Sequence, residues 1–173
     1  MRDYVHPFSG MRVLDIGCGP AEILQVLNDC NYLGIDPNER YIARARESFG
    51  ERGQFMVASA TFIEQLEMQF DRILLLGVLH HLEDEEARTV AQSTARLLSP
   101  GGRLVAGFDP VFHKRQHPVA RLLASLDRGR FVRTSDEYQN LLSDYVQVLR
   151  ADVRHDLMKV PYSHSFIVTA PRK

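Results

Sequence analysis

Short apolar runs alternate with segments of helical spacing along the first two thirds of the chain, and this alternation constrains the fold most. The runs cover residues 11–16, 31–35, 54–58, 71–76 and 103–108, each bounded by Gly, Pro or Asp as is typical of buried strands. Helical spacing follows over 21–28, 39–49 and 83–98, with a weaker helix over 61–67. The alternation predicts right-handed crossovers and a parallel sheet covered on both faces.

The last third of the chain departs from this pattern. Residues 111–133 lack a clean strand and are predicted to be an insertion, followed by a helix over 135–145 that opens on a capping sequence. Two strand-like segments, 147–155 and 163–170, are close enough in sequence to favour an antiparallel hairpin at one sheet edge. A length of 173 residues, 45% of them apolar, predicts a single domain over 1–173.

The strongest local signal is a glycine loop between the first strand and the next helix, Val-Leu-Asp-Ile-Gly-Cys-Gly-Pro-Ala over 13–21. Gly17 and Gly19 allow a sharp turn and let a ligand lie against the main chain, where the following helix start offers free N–H groups. A dinucleotide fingerprint needs another glycine three residues after Gly19, and Glu22 occupies that position. The loop therefore predicts a nucleotide-like ligand without a pyrophosphate.

Asp36 ends the second strand, 17 residues beyond Gly19, where the next loop of a doubly wound sheet lines the same crevice. Its carboxylate can accept from both hydroxyls of a ribose and would repel a 2′-phosphate, which favours an adenosine over NADP. The competing interpretation is purely structural: the glycines make a tight turn, and Asp36 caps a helix that begins near Asn38.

Four stretches together resemble the class I S-adenosylmethionine-dependent methyltransferases: residues 13–24, 34–46, 70–84 and 97–105. The resemblance implies a Rossmann-like, doubly wound seven-stranded sheet, mostly parallel with an antiparallel C-terminal hairpin. It also implies S-adenosylmethionine as cofactor and methyl transfer as activity.

Carried over by position, the resemblance assigns the cofactor contacts. The first loop would surround the methionine portion, Asp36 would hold the ribose, and the end of the fourth strand would line the methionine end. The third strand ends in serine and alanine where the family often has an aspartate for the adenine amine. The predicted cofactor-binding residues are Asp15, Gly17, Cys18, Gly19, Asp36, Pro37, Ser59, Ala60, Gly77 and Val78.

Methyl transfer from a sulfonium is an in-line displacement, so a base is needed only if the acceptor is protonated. His80 and His81 follow the fourth strand and are candidates, although consecutive side chains point apart and at most one faces the site. Both could instead pack or cap the next helix. Asp109 ends the fifth strand and could orient an acceptor hydroxyl or amine, or simply begin an Asp-Pro turn.

The formal net charge of −1 conceals an uneven distribution. Residues 1–110 carry 10 basic and 16 acidic side chains, whereas residues 111–173 carry 11 basic and 6 acidic ones. The basic excess lies in the insertion, which in this architecture is placed over the substrate pocket. We hypothesise that Arg128, Arg130 or Arg133 contacts an anionic acceptor. The alternative is a solvated basic face.

Several classes are disfavoured. The two cysteines, Cys18 and Cys30, support neither a disulfide framework nor a zinc site, and a cytoplasmic location is expected. His113 and His117 have a metal-ligand spacing, but Pro118 and the lack of a nearby acidic ligand argue against a metal site. No apolar run is long enough for a signal peptide or a membrane span.

Nucleic acid is also disfavoured as a partner. The loop after the fourth strand lacks the Asn/Asp-Pro-Pro-aromatic sequence of amino-directed base methylation, no cysteine is placed as a nucleophile, and the chain has no Trp. A small-molecule or saccharide-type acceptor is expected.

A non-catalytic cofactor-binding or scaffold domain of the same fold remains an alternative. It is motivated by the dozen residues that precede Val13, where family members commonly place helices that cover the acceptor. If the pocket has a lid, the basic insertion or a second subunit of a homo-oligomer must supply it. A nucleotide-dependent oxidoreductase is disfavoured by Glu22 and the antiparallel end.

Overall fold

The structure of the protein is a computed structural model that describes residues 1–112, 116, 118–125, 129–157 and 162–172. Its strands are β1 (Met11–Ile16), β2 (Cys30–Asp36), β3 (Gly53–Val57), β4 (Phe70–Leu76), β5 (Leu98–Phe112), β6 (Arg133–Thr134), β7 (Val146–Arg154) and β8 (His164–Pro171). Its α-helices are α1 (Arg2–Val5), α2 (Glu39–Phe49), α3 (Asp84–Leu97), α4 (Pro118–Ser125) and α5 (Ser135–Ser143).

One twisted sheet runs through the molecule in the order β3-β2-β1-β4-β5-β8-β7. The first five strands are parallel, while β8 is antiparallel to both β5 and β7. The short strand β6 lies off this path and pairs with the far end of β5 through Val111 and Phe112. The predicted seven-stranded, mostly parallel sheet with a C-terminal hairpin is therefore confirmed.

Each face of the sheet buries its own apolar cluster, because successive strand residues point to opposite sides. Leu14 and Ile16 of β1 join the cluster beneath α3 and α5, whereas Val13 joins the cluster beneath α1 and α2. Both clusters consist of residues with almost no exposed surface. The continuous apolar runs of the sequence are thus explained by burial on both faces.

The prediction of a helix over residues 21–28 is wrong. A single 3₁₀ turn, Glu22–Gln25, stands there, preceded by Ala21 with φ +59° and followed by Asp29 with φ +47°. The guanidinium of Arg52 donates hydrogen bonds to the carbonyl oxygens of Leu24 and Leu27, so the turn's carbonyls are satisfied without further helix. The weak helix predicted over 61–67 is likewise a 3₁₀ segment, Ala60–Gln65.

The region predicted as an insertion contains more regular structure than expected. β5 continues to Phe112 instead of ending near residue 108, α4 follows, and β6 leads directly into α5. The capping box of α5 is present: the Thr134 hydroxyl accepts from the Glu137 amide, and the Glu137 carboxylate accepts from the Thr134 amide. His113, Lys114, Arg115, His117, Asp127 and Arg128 lie outside the described residues.

No helix within the described ranges has both the length and the apolar character needed to cross a membrane.

Candidate active site

The carboxyl ends of the parallel strands form the candidate site, and the glycine loop after β1 lies at its centre. The amides of Gly17 and Cys18 donate to the carbonyl oxygen of Ile35, at 2.7 and 3.0 Å, which holds the loop against β2. Gly17 has φ +70°, and a Cβ there would lie 2.6 Å from a methyl carbon of Val78. The loop therefore packs directly on the end of β4, and glycine is required for that approach.

Asp36 ties this loop to the next crossover. One carboxylate oxygen accepts from the Gly19 amide at 2.9 Å, and the other accepts from the Asn38 amide at 2.8 Å. Asn38 itself caps α2, with its side chain accepting from the amides of Arg40 and Tyr41. Asp36 is therefore bound to the loop rather than serving as the helix cap, and each of its oxygens retains a second lone pair for a ligand.

Asp15 is buried beside the loop, with one oxygen engaged and the other without a partner. Its Oδ2 accepts from the hydroxyl of Tyr32 at 2.6 Å, whereas Oδ1 has no hydrogen-bond partner in the described residues. The Tyr32 ring reaches across Gly34, where a Cβ would lie 2.9 Å from the ring. Burial raises the pKa of Asp15 to about 7, partly opposed by the hydrogen bond from Tyr32.

The remaining predicted cofactor residues lie at the ends of their strands. Gly77, with φ +71°, donates its amide to the carbonyl oxygen of Gly107 at 2.6 Å, which joins the ends of β4 and β5. Ser59 is exposed, its hydroxyl 3.0 Å from that of Thr61, and Ala60 next to it is partly buried. Pro37 is exposed directly after Asp36.

His80 and Asp109 form a buried pair where β4 and β5 end. The Nδ1 atom of His80 lies 2.8 Å from Oδ1 of Asp109, and the His80 amide donates to the same oxygen at 3.1 Å. His80 is 7% exposed and Asp109 is 1% exposed. Burial raises the pKa of Asp109, while the hydrogen bond from His80 opposes that rise. His81 is exposed, and its ring lies against the ring of His80, with the two centroids 4.0 Å apart.

A bulge in β5 directs Asp109 toward His80. The pairing with β8 shifts between Gly107 and Asp109, and Phe108 at the shift has φ +60°. Strict alternation from Ala106, which belongs to the α3 and α5 side, would have turned Asp109 to the opposite face. Sequence reasoning missed Phe108, since nothing in its local sequence signals a left-handed phenylalanine.

The backbone after the undescribed residues 126–128 covers His80. Phe131 donates its amide to the carbonyl oxygen of His80 at 3.0 Å, and a Cβ on Gly129 would lie 2.6 Å from the same oxygen. Gly129 therefore packs against both ring and backbone of His80. Arg130, next to it, is exposed.

Arg133 holds this covering segment in place. Its guanidinium donates to the carbonyl oxygens of Leu79 and Leu82, both at 2.8 Å, and to the carboxylate of Asp84 at 2.7 Å. A further bond reaches the carbonyl oxygen of Phe131 at 3.0 Å. These partners differ from the anionic acceptor that we predicted for Arg133, because the buried guanidinium is already occupied by the chain itself. Of the three candidate arginines, Arg130 is exposed and Arg128 is not described.

A parallel sheet with a glycine loop at its switch point and a carboxylate after the second strand defines the class of Rossmann-like nucleotide-binding enzymes. A family model described as methyltransferase domain matches residues 13–102, which is more than half of the chain. The chain therefore belongs to the methyltransferase-domain family. The predicted membership of the S-adenosylmethionine-dependent methyltransferases is confirmed.

Curated relatives match over part of their length. The 27-O-demethylrifamycin SV methyltransferase of Amycolatopsis mediterranei (strain S699) is 36% identical over 107 residues, covering 57% of this chain and 39% of that protein. The ubiquinone biosynthesis O-methyltransferase of Maricaulis maris (strain MCS10) is 32% identical, covering 57% and 41%. The probable tRNA methyltransferase 9B of Mus musculus is 36% identical, covering 56% and 21%. The match thus spans less than half the length of these relatives.

Solved structures share the fold at low identity. The N-methyltransferase NodS from Bradyrhizobium japonicum WM9 has a TM-score of 0.71 at 20% identity, covering 95% of this chain and 88% of that one. The [4+2]-cyclase SpnF has a TM-score of 0.78 at 16% identity, covering 98% and 78%. These structures show the same sheet carrying different reactions, so the reaction must be argued from the site.

Proposed function

We propose that this protein transfers a methyl group from S-adenosylmethionine to a small-molecule or saccharide-type acceptor. The observation that carries the proposal is the meeting of three features at one sheet edge: the Gly17–Gly19 loop, the Asp36 carboxylate, and Oδ1 of Asp15, which accepts no hydrogen bond from the part of the chain that the structure describes. Each matches a different part of the cofactor.

The residues present fit that cofactor. Oδ1 of Asp15 is a buried acceptor to which no described residue donates, and an ammonium group would satisfy it. Asp36 offers free lone pairs to ribose hydroxyls, and the glycines leave the main chain open to a ligand. Cys18, Pro37, Ser59, Ala60, Gly77 and Val78 would line the remaining surface. When bound, the cofactor supplies an electrophilic methyl group on a positively charged sulfur.

The acceptor side is proposed to use the His80–Asp109 pair. Asp109 orients the imidazole through Nδ1, and His80 accepts the proton that an acceptor hydroxyl or amine releases. The competing role is structural, in which the pair only holds the turn after β4. Replacing Asp109 by Asn separates these roles, because loss of orientation lowers kcat and alters its pH profile, whereas a purely structural pair changes thermal stability alone.

Calorimetry with S-adenosylmethionine and S-adenosylhomocysteine tests the cofactor assignment. We expect Asp36→Ala to lower affinity by roughly tenfold or more, because the ribose loses a charged acceptor. Asp3→Ala, an exposed carboxylate on α1, serves as the matched control. Failure of the wild-type protein to bind either ligand at millimolar concentration would remove the proposal.

The names of the relatives divide between methyltransferases of small molecules and of tRNA. We favour a small molecule because the loop after β4 lacks a base-methylation sequence and the basic excess is confined to one region of the chain. Transfer of a labelled methyl group into fractionated metabolite and RNA pools distinguishes the two. Label found only in RNA would contradict this choice.

A non-catalytic cofactor-binding domain is the second candidate. The observation that favours it is the covering of His80 by the backbone of Gly129 and Phe131. Binding of S-adenosylhomocysteine without methyl transfer to any pool would support it. We further propose a cytoplasmic location, which cell fractionation tests, and a single domain, which limited proteolysis tests. We also propose a homo-oligomer in which a second subunit completes the pocket, and gel filtration tests this.

A further inference from the structure

Phe108 combines an uncommon backbone with an exposed ring. Its φ of +60° lies in the left-handed region, which a side chain with a Cβ disfavours, and it sits at the bulge of β5. The side chain remains 37% exposed, so burial alone does not explain why phenylalanine occupies this position. A strained residue of this kind at a ligand-binding edge is a reason to look for a function.

A row of aromatic side chains braces the Phe108 ring from behind. The Phe166 ring meets it edge to face, with centroids 5.0 Å apart and planes at 69°. Phe166 in turn stacks on Tyr4 at 4.6 Å. Gly107 makes room for this row, because a Cβ there would lie 2.6 Å from the Phe166 ring. The Phe108 ring is thus held rigidly while part of it stays accessible.

Phe108 also stands between two contacts of the candidate site. On one side of it, the carbonyl oxygen of Gly107 accepts from Gly77 at the end of β4. On the other, the carboxylate of Asp109 accepts from His80. The Phe108 backbone therefore lies at the edge of the sheet where ligands bind in open α/β folds, and its ring packs on the face of the sheet that α1 and α2 cover.

We propose that Phe108 is the stacking platform of the acceptor site and that the acceptor is a planar aromatic molecule. The proposal rests on the proposed function, since it narrows the acceptor class of that same site. A flat ring makes offset or edge contacts with Phe108 that a puckered saccharide or an aliphatic chain does not reproduce. A braced platform also costs little side-chain ordering when the acceptor binds.

Two probes of similar size separate aromatic stacking from simple apolar contact: 2-naphthol and its saturated counterpart decahydro-2-naphthol. Their affinities are measured by ligand-observed NMR titration, with and without S-adenosylhomocysteine. We expect the wild-type protein to bind 2-naphthol at least about threefold more tightly than the saturated alcohol. Equal affinities, or tighter binding of the saturated alcohol, would overturn the proposal.

Three variants locate the effect. Phe108→Leu should weaken 2-naphthol binding by about three- to tenfold, and Phe108→Tyr should preserve it, because the ring is retained. Phe8→Leu, an exposed phenylalanine that precedes β1, should leave it unchanged. If Phe108→Leu binds as the wild type does, the platform is rejected; if Phe108→Leu fails to fold, reduced binding by Phe108→Tyr rejects it instead.

Cofactor binding by the same variants keeps this proposal distinct from the proposed function. S-adenosylhomocysteine affinity should be unchanged by all three substitutions. A protein that binds the cofactor product but not 2-naphthol contradicts the platform alone. One that binds 2-naphthol through Phe108 but neither cofactor form contradicts the methyltransferase proposal and leaves the aromatic site supported.

Discussion

At the scale of single residues, Asp15 is expected to make folding and ligand binding respond to pH in opposite directions. Its carboxyl loses a proton near the ordinary pKa of 3.8 when unfolded and near 7 when folded. The folded chain therefore binds the extra proton between these values, and the free energy of unfolding falls as pH rises from about 4 to about 7. Urea unfolding should show that the free energy of unfolding falls more between pH 5 and pH 8 for the wild type than for Asp15→Asn.

Equal losses in the two proteins would show that Asp15 does not titrate in this window. Asp109, whose pKa burial also raises, is present in both proteins and so cancels from the comparison.

Binding of a cofactor ammonium should show the reverse trend, because only the ionised Asp15 pairs with a cation. Affinity for S-adenosylhomocysteine is expected to rise with pH through about 7, since each pH unit below that value lowers the ionised fraction up to tenfold. Tyr32→Phe removes the hydrogen bond that lowers this pKa and should move the midpoint upward. Calorimetry from pH 5.5 to 8.5 measures this midpoint for the wild type and for Tyr32→Phe, and Tyr145→Phe is the control.

At the scale of elements, Arg133 links the segment after the insertion to the turn after β4. Arg133→Met should cost about 2–4 kcal/mol, because the carbonyl groups of Leu79 and Leu82 lose their charged donor inside the protein. Asp84→Asn should cost only about 0–1 kcal/mol, because the Asp84 side chain is 60% exposed. Equal costs in urea unfolding would mean that the ion pair, rather than the carbonyl contacts, holds the segment.

The elements that could be predicted from sequence are those whose determinants are local. β1 and β4 are mostly apolar runs followed by glycine, and Asn38 caps α2, so burial pattern and capping sufficed. The helix expected over 21–28 failed because Arg52, remote in sequence, satisfies its carbonyl groups. Local determinants also made part of the site predictable, because Gly17 and Asp36 could be recognised from their spacing in the sequence.

The Tyr32–Asp15 bond and the bulge at Phe108 depend on contacts between strands, which no single stretch of sequence reveals. Likewise, Arg133 looked like any other basic residue of the insertion, because its carbonyl partners belong to a turn some fifty residues earlier.

At the scale of the whole molecule, the candidate site joins the ends of five strands of one hydrogen-bonded sheet. A ligand held at these strand ends should therefore stabilise the entire fold by mass action. S-adenosylhomocysteine at about 100 times its Kd should add about 2.7 kcal/mol to the free energy of unfolding, or roughly 5–10 °C in Tm. Thermal unfolding at several ligand concentrations checks this.

Asp36→Ala should need roughly ten times more ligand for the same rise in Tm. A ligand-independent Tm for the wild type would contradict binding at this edge.

The pairing of β6 with the far end of β5 has a consequence for how such a protein can change. Val111 and Arg133 are neighbours across that ladder, so the chain between them leaves and re-enters the fold at nearly the same point. Doubling the length of a loop with fixed ends costs only about 0.6 kcal/mol. Evolution or an engineer can therefore change the length of this segment while the pairing of β5 with β6 and the main sheet stay in place.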